Sequence, residues 1–201
     1  MIQSAGIALV VKSLLGTSPI SSLPYVLSLI SPFTFGQTTF AINMVFVVFE
    51  LLMLRRDFPA VFWLQIPVTI LFGFCIDFFM NLFTIVPDAY ALKLLLCLLG
   101  TALVALGVAG QGIADVLMLA GEGAVYVFAR KFHIDFGKVK VGNDISLVIL
   151  AAIVSVLTMG TIEGIREGTL ISALLTGIIA RFYLRHLSRI DAHGRIYLSL
   201  H

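Results

Sequence analysis

Between Lys12 and Glu50 the chain carries no Asp, Glu, Lys or Arg. A helix that crosses a membrane needs about 20 apolar residues. The uncharged run is therefore long enough for more than one pass, or for a pass plus a re-entrant piece. It is also interrupted, at Gly16-Thr17-Ser18-Pro19 and again at Ser31-Pro32. The rest of the chain agrees with this start. Of 201 residues, 60% are hydrophobic and 12% charged, and mean hydropathy is +1.08. Soluble chains average about 25% charged residues, so a lone soluble domain would leave too much apolar surface in water. A disordered chain, a nucleic-acid binder and a disulfide scaffold are excluded on the same grounds. The net charge of +2 is too small to call for an acidic partner. Cys75 and Cys97 both lie in apolar stretches and read as small buried hydrophobes. The N-terminus lacks the order of a cleavable signal, since Lys12 follows the first apolar residues.

The pattern predicts an all-α polytopic membrane protein with six spans. They are Ile2 to Leu15, Thr38 to Leu54, Pro59 to Ile85, Ala89 to Ala114, Ile145 to Thr161 and Thr169 to Tyr183. Two short pieces, Ile20 to Ile30 and Asp115 to Ala129, are expected to be broken or re-entrant helices. Basic residues favour the cytoplasmic side near span ends. Placing Arg55 and Arg56 inside puts Arg130, Lys131, Lys138, Lys140, Arg181, Arg185, Arg189 and Arg195 inside as well. Both termini are then cytoplasmic, and residues 187–201 form a cytoplasmic tail. Lys12 and Lys93 do not fit this pattern.

A shift of 101 residues brings two halves into register. Gly6-Ile7-Ala8 falls on Gly107-Val108-Ala109, Tyr25-Val26 on Tyr126-Val127, Phe35-Gly36 on Phe136-Gly137, and Asn43 on Asp144. With three further residues inserted, Gly73 falls on Gly177, Asp77 on Arg181 and Phe78 on Phe182. Within one membrane domain, the repeats are expected at 1–87 and 88–186. Each holds three spans, an odd number, so the two halves have opposite orientations. Inverted repeats with interrupted helices are characteristic of many secondary transporters, whose sites lie near the midplane.

Candidate site residues cluster at the two interruptions. Ser18 can cap a helix whose first residue is Pro19, and the free N–H groups there would favour an anionic group. Thr17, Ser18, Ser21, Ser22 and Tyr25 supply hydroxyls, which equally well satisfy their own backbone. In the second half, Glu122 stands between Gly121 and Gly123 in the place of Ser21, with Tyr126 in the place of Tyr25. Glu122 either lines a cavity or pairs with Lys138 or Lys140. Asn43 follows the first Phe-Gly turn and completes the expected substrate-binding set. Charges at membrane depth are costly unless paired or facing water. Lys12, Asp77, Asp115, Asp144 and Arg181 are therefore candidates for ion coupling or for intramembrane pairs. Lys12–Asp115, Lys12–Glu50 and Asp77–Arg181 are the pairings considered. Gln65, Pro67 and Gln111 read as packing or kinking points. GxSxG, Walker A, HExxH and paired CxxC are all missing. The four histidines read as a solvated surface. No enzyme activity, metal or cofactor is expected.

The stretch from Lys12 through Gly16-Thr17-Ser18-Pro19 to Ser28 resembles the YczE/YitT group of small bacterial multi-pass membrane proteins. Phe35-Gly36-Gln37-Thr38-Thr39-Phe40 with Asn43 is similar too, as are Gln65-Ile66-Pro67, Phe136-Gly137-Lys138-Val139-Lys140 to Asp144, and Glu167-Gly168-Thr169-Leu170-Ile171-Ser172. The resemblance implies a bacterial inner or plasma membrane protein and little chemistry. Glu50 stands where the resemblance leads one to expect glutamine. The expected function is a small-molecule secondary transporter, with the bilayer and an unidentified solute as partners and a homodimer as an option. The alternatives are a substrate-binding subunit of a modular importer, docking through the small residues Ala5-Gly6-Ile7-Ala8, and a non-transporting regulatory membrane protein.

Overall fold

In a computed structural model, the described residues are 1–55, 60–84, 87–114, 118–190 and 196–198, and they are almost entirely helical. The helices are α1 (Ile2–Lys12), α2 (Pro19–Ile30), α3 (Phe35–Leu54), α4 (Gln65–Leu82), α5 (Tyr90–Ala114), α6 (Ala120–Phe132), α7 (Phe136–Met159) and α8 (Glu167–Leu187). A 3₁₀ turn, Ala60–Leu64, leads into α4, and a small antiparallel hairpin, β1 (Ser188–Ile190) with β2 (Ile196–Leu198), follows α8.

Among the described residues, four helical stretches are long and apolar enough to cross a membrane: Phe35–Leu54, Val61–Leu82, Tyr90–Gln111 and Phe136–Met159. α1 has 11 residues, α2 has 12 and α6 has 13. At 1.5 Å per residue α1 reaches only about 16 Å, well short of a bilayer core. The first expected span is thus shorter than its hydropathy suggests, because the helix stops at Lys12. α7 begins nine residues before the expected Ile145. Asp135 caps it by accepting from the Lys138 amide at 3.1 Å, so Lys138, Lys140 and Asp144 stand on its first turns and not in a loop. α6 begins at Ala120 and not at Asp115, a residue that lies outside those described.

The surface is inside-out relative to a water-soluble bundle. Leu157 is 79% exposed, and Phe74 and Leu174 are each 71% exposed. The interior holds Gln3, Ser4, Thr17, Ser21, Thr39, Glu50, Gln65, Thr101 and Glu122. Apolar surface of this extent suits lipid. Close helix crossings depend on glycine. A Cβ on Gly6 of α1 would lie 2.6 Å from the Gly100 carbonyl of α5, and one on Gly73 of α4 would lie 2.7 Å from the Gly36 carbonyl of α3. Small residues let backbones approach in this way. The Ala5–Ala8 face is occupied within the chain, since Gly6, Ile7 and Ala8 are all buried. α1 and α5 run antiparallel, with Gly6 on Gly100 and Gln3 on Gly107. Gln111 Nε2 donates to Gln3 Oε1 at 2.5 Å across the same interface. Ile7, Val11, Phe35, Ile76 and Val104 form the apolar centre.

Candidate functional site

α2 and α6 both start deep inside the bundle, and their starts face each other. A Cβ on Gly121 in the first turn of α6 would lie 2.6 Å from Ile20 Cδ1 in the first turn of α2. Each start is preceded by an extended residue, Ser18 and Leu119, and neither receives a side-chain capping bond. Proline at the first position of α2 removes a donor that would otherwise be orphaned. The Leu119 amide is satisfied by Gln111 Oε1 at 3.1 Å, which ties the start of α6 to the Gln3–Gln111 bridge.

Between the two starts lies a cavity of about 20 Å³, lined by Ser21, Thr39, Asn43 and Glu122 with Gln3, Ile7, Ile20, Phe72 and Leu119. That space accommodates about one water molecule. Glu122 is 7% exposed and interacts electrostatically with Lys140 and Asp144 on α7. These two form an ion pair of 2.9 Å one turn apart. Asn43 Nδ2 donates to the Thr39 carbonyl at 2.8 Å.

Of the candidates read from the sequence, Ser21, Asn43 and Glu122 meet at this cavity. Thr17, Ser18 and Ser22 are turned to one another and to the α7–α8 connection. The Ser18 hydroxyl donates to Ser21 Oγ at 2.9 Å, Ser22 donates to the Ser18 carbonyl at 3.1 Å, and Thr17 donates to the Gly164 carbonyl at 3.2 Å. The Thr17 amide donates to Thr169 Oγ1 at 3.2 Å. Tyr25 stacks edge-on against Phe35, with centroids 5.4 Å apart, and lies under Gly164. Tyr126 is 42% exposed and does not line the cavity.

The charged candidates fall apart from one another. Asp77 Oδ2 accepts from the Thr34 hydroxyl at 2.6 Å and Oδ1 from the Gly36 amide at 2.7 Å. It thus holds the start of α3, where a carboxylate also meets the helix dipole favourably. The side chain of Arg181, its expected partner, lies outside the described residues, as does Asp115. Lys12 closes α1, and among the described residues Lys140–Asp144 is the salt bridge present. Among those residues, too, no group of three His, Cys, Asp or Glu is placed to hold a metal ion.

A second buried polar group was read in the sequence only as a partner for Lys12 and as a packing point. Glu50 on α3 is 0% exposed and Gln65 on α4 is 1% exposed. Both carboxylate oxygens of Glu50 and the Oε1 of Gln65 lack a hydrogen bond. The available signal was that Glu50 is the charge that ends the uncharged run.

The chain belongs to a family of unknown function, DUF6198, whose model matches residues 1–185. No curated protein and no solved structure matches it.

Proposed function

We propose that the chain is a small-molecule secondary transporter, built from two inverted repeats, α1–α4 and α5–α8. Its solute binds at the midplane between the starts of α2 and α6, in a conformation that parts them, since the space between them here holds about one water molecule. The observation that carries the reading is the convergence of two half-length helices on a buried polar cavity that holds Ser21, Asn43 and Glu122.

The repeat reading draws support from local structure. Pro19 and Ala120 open α2 and α6, and Phe35 and Phe136 open α3 and α7, in each case 101 residues apart. The caps repeat at the same offset. Thr34 accepts from the Gln37 amide, and Asp135 from the Lys138 amide. Part of the packing follows the same exchange, although α3 packs on α4 and α7 does not pack comparably on α8. α2 packs on α7 and α6 on α3, α1 on α4 and α5 on α8, while α1 packs on α5 as its own image. Antiparallel α1 and α5 agree with inversion. Such repeats, with interrupted helices aimed at the centre, are the architecture on which alternating access is commonly built.

Arg55, Arg130, Lys131 and Lys138 gather at one end of the bundle, where Lys131 Nζ donates to the Met53 carbonyl at 2.7 Å. By the positive-inside rule that end is cytoplasmic. Both termini then face the cytoplasm of a bacterial cell, as the resemblance to the YczE/YitT group implies.

Reconstitution into proteoliposomes, with a panel of small polar solutes offered outside, tests the reading. Saturable uptake of one class is expected. Loss of a hydrogen bond to a charged group costs about 1.5–3 kcal/mol, so Glu122→Gln and Ser21→Ala should each weaken it by about tenfold or more. Uptake that ignores both substitutions, or flux no greater than in empty liposomes for every solute, contradicts the proposal.

A further inference from the structure

Glu50 and Gln65 sit where α3, α4 and α6 meet, away from the cavity between the helix starts. The α6 backbone closes on them because residue 123 is glycine. A Cβ there would lie 3.0 Å from Gln65 Nε2 and 3.3 Å from Glu50 Cδ. Three oxygens here lack a hydrogen bond, both of Glu50 and the Oε1 of Gln65, and Glu50 and Gln65 Nε2 lie together against Gly123. Glu50 is fully buried and Gln65 nearly so. A lone ionised carboxylate in such a place is strongly disfavoured, and so is an orphaned amide oxygen.

No described charged side chain relieves it. On α3 the next charge is Arg55, just past the helix end, and on α4 it is Asp77, near the opposite end. On α6, Glu122 lines the cavity, Lys131 is committed to the Met53 carbonyl, and Arg130 is exposed. None of them forms a salt bridge with Glu50.

We propose that Glu50 and Gln65 form a buried site for a single small monovalent cation, a proton or a sodium ion, shared between the Glu50 carboxylate and Gln65 Oε1. One positive charge supplies what the three oxygens lack. As a proton it makes Glu50 the donor to Gln65 Oε1, while Gln65 Nε2 faces the other carboxylate oxygen. As sodium it is met by carboxylate and amide oxygens, the hard donors such an ion prefers. Gly123 directly follows Glu122, so occupancy at Glu50 bears on the turn that presents Glu122 to the cavity. A role as the coupling ion rests on the transport reading; the cation site itself does not.

The test is an equilibrium measurement on the purified full chain and needs no solute. Infrared spectra in sodium-free buffer read a carboxylic-acid C=O band, and equilibrium dialysis reads ²²Na⁺ binding. If the cation is a proton, the acid band is present, is lost in Glu50→Gln, persists in Glu122→Gln and is indifferent to added sodium. If it is sodium, ²²Na⁺ binds stoichiometrically to the parent chain and to Glu122→Gln but not to Glu50→Gln. Glu50→Gln keeps shape and removes charge, so the fold is retained. An ionised Glu50 with no sodium bound overturns the proposal, as does an acid band and ²²Na⁺ binding that both survive Glu50→Gln. Failure of transport in liposomes leaves either outcome standing.

Discussion

Replacing Gly6 by alanine puts one methyl group into the α1–α5 crossing. The new Cβ would lie 2.6 Å from both the Gly100 carbonyl oxygen and the Val104 amide nitrogen, against 3.4 Å for an ordinary contact. Both neighbours are backbone atoms and cannot rotate aside, so the helices must part by about 0.8 Å. Overpacking of this kind costs about 1–3 kcal/mol. Alanine also gains up to about 1 kcal/mol over glycine in a helix, so the effect needs a reference that removes this gain. Gly110, on α5, provides one, because a Cβ there meets nothing within 4 Å. Gly6→Ala should therefore fall below Gly110→Ala by about 2 kcal/mol, or roughly 4–8 °C in Tm for a chain of this size. Thermal unfolding of the purified variants in one detergent measures the difference. If Gly6→Ala is as stable as Gly110→Ala, the close antiparallel crossing is wrong, and with it the self-paired position of α1 and α5.

Two further substitutions test the helix starts in the same assay. Asp77→Asn removes the charge from the short bonds to Thr34 and Gly36 and should cost about 1–2 kcal/mol; an unchanged midpoint argues that Asp77 is spent elsewhere. Asp135→Ala removes the cap of α7 and should cost about 1 kcal/mol, with fraying detectable as faster amide exchange at Lys138 and Val139, whose amides bond Asp135.

The order of elements was legible in the sequence because its signals are local. Pro19 after Ser18 and the Phe-Gly pairs at 35 and 136 each act within a turn or two of chain. Ser21, Asn43 and Glu122 were legible for the same reason, as polar residues at an interruption or just after a Phe-Gly turn. Tertiary partners were not. Asp77 looked like half of an ion pair, yet one of its partners is the backbone amide of Gly36, a group that leaves no mark in sequence. Lys138 and Lys140 read as cytoplasmic-side charges ahead of a span at Ile145, since a hydropathy window discounts charges that a cap such as Asp135 can bring onto a helix. Glu50 and Gln65 lie on different helices, and only the packing of α6 through Gly123 gives their meeting a meaning. The length of α1 depends on where Ser13 and Leu14 turn the chain, which apolar content does not encode.

The convergence of α2 and α6 can be read directly by cross-linking. In a chain with Cys75 and Cys97 replaced by alanine, Ile20→Cys and Gly121→Cys are combined, and a protease site is placed between α4 and α5. Ile20 and residue 121 share one contact, so mild oxidation should join them, and the cleaved halves should migrate as one species until reduced. The pair Ile20→Cys with Phe132→Cys, at the far end of α6, should separate on cleavage. If the Ile20/Gly121 pair separates as readily as that control, the two helix starts do not meet, and a site between them is contradicted.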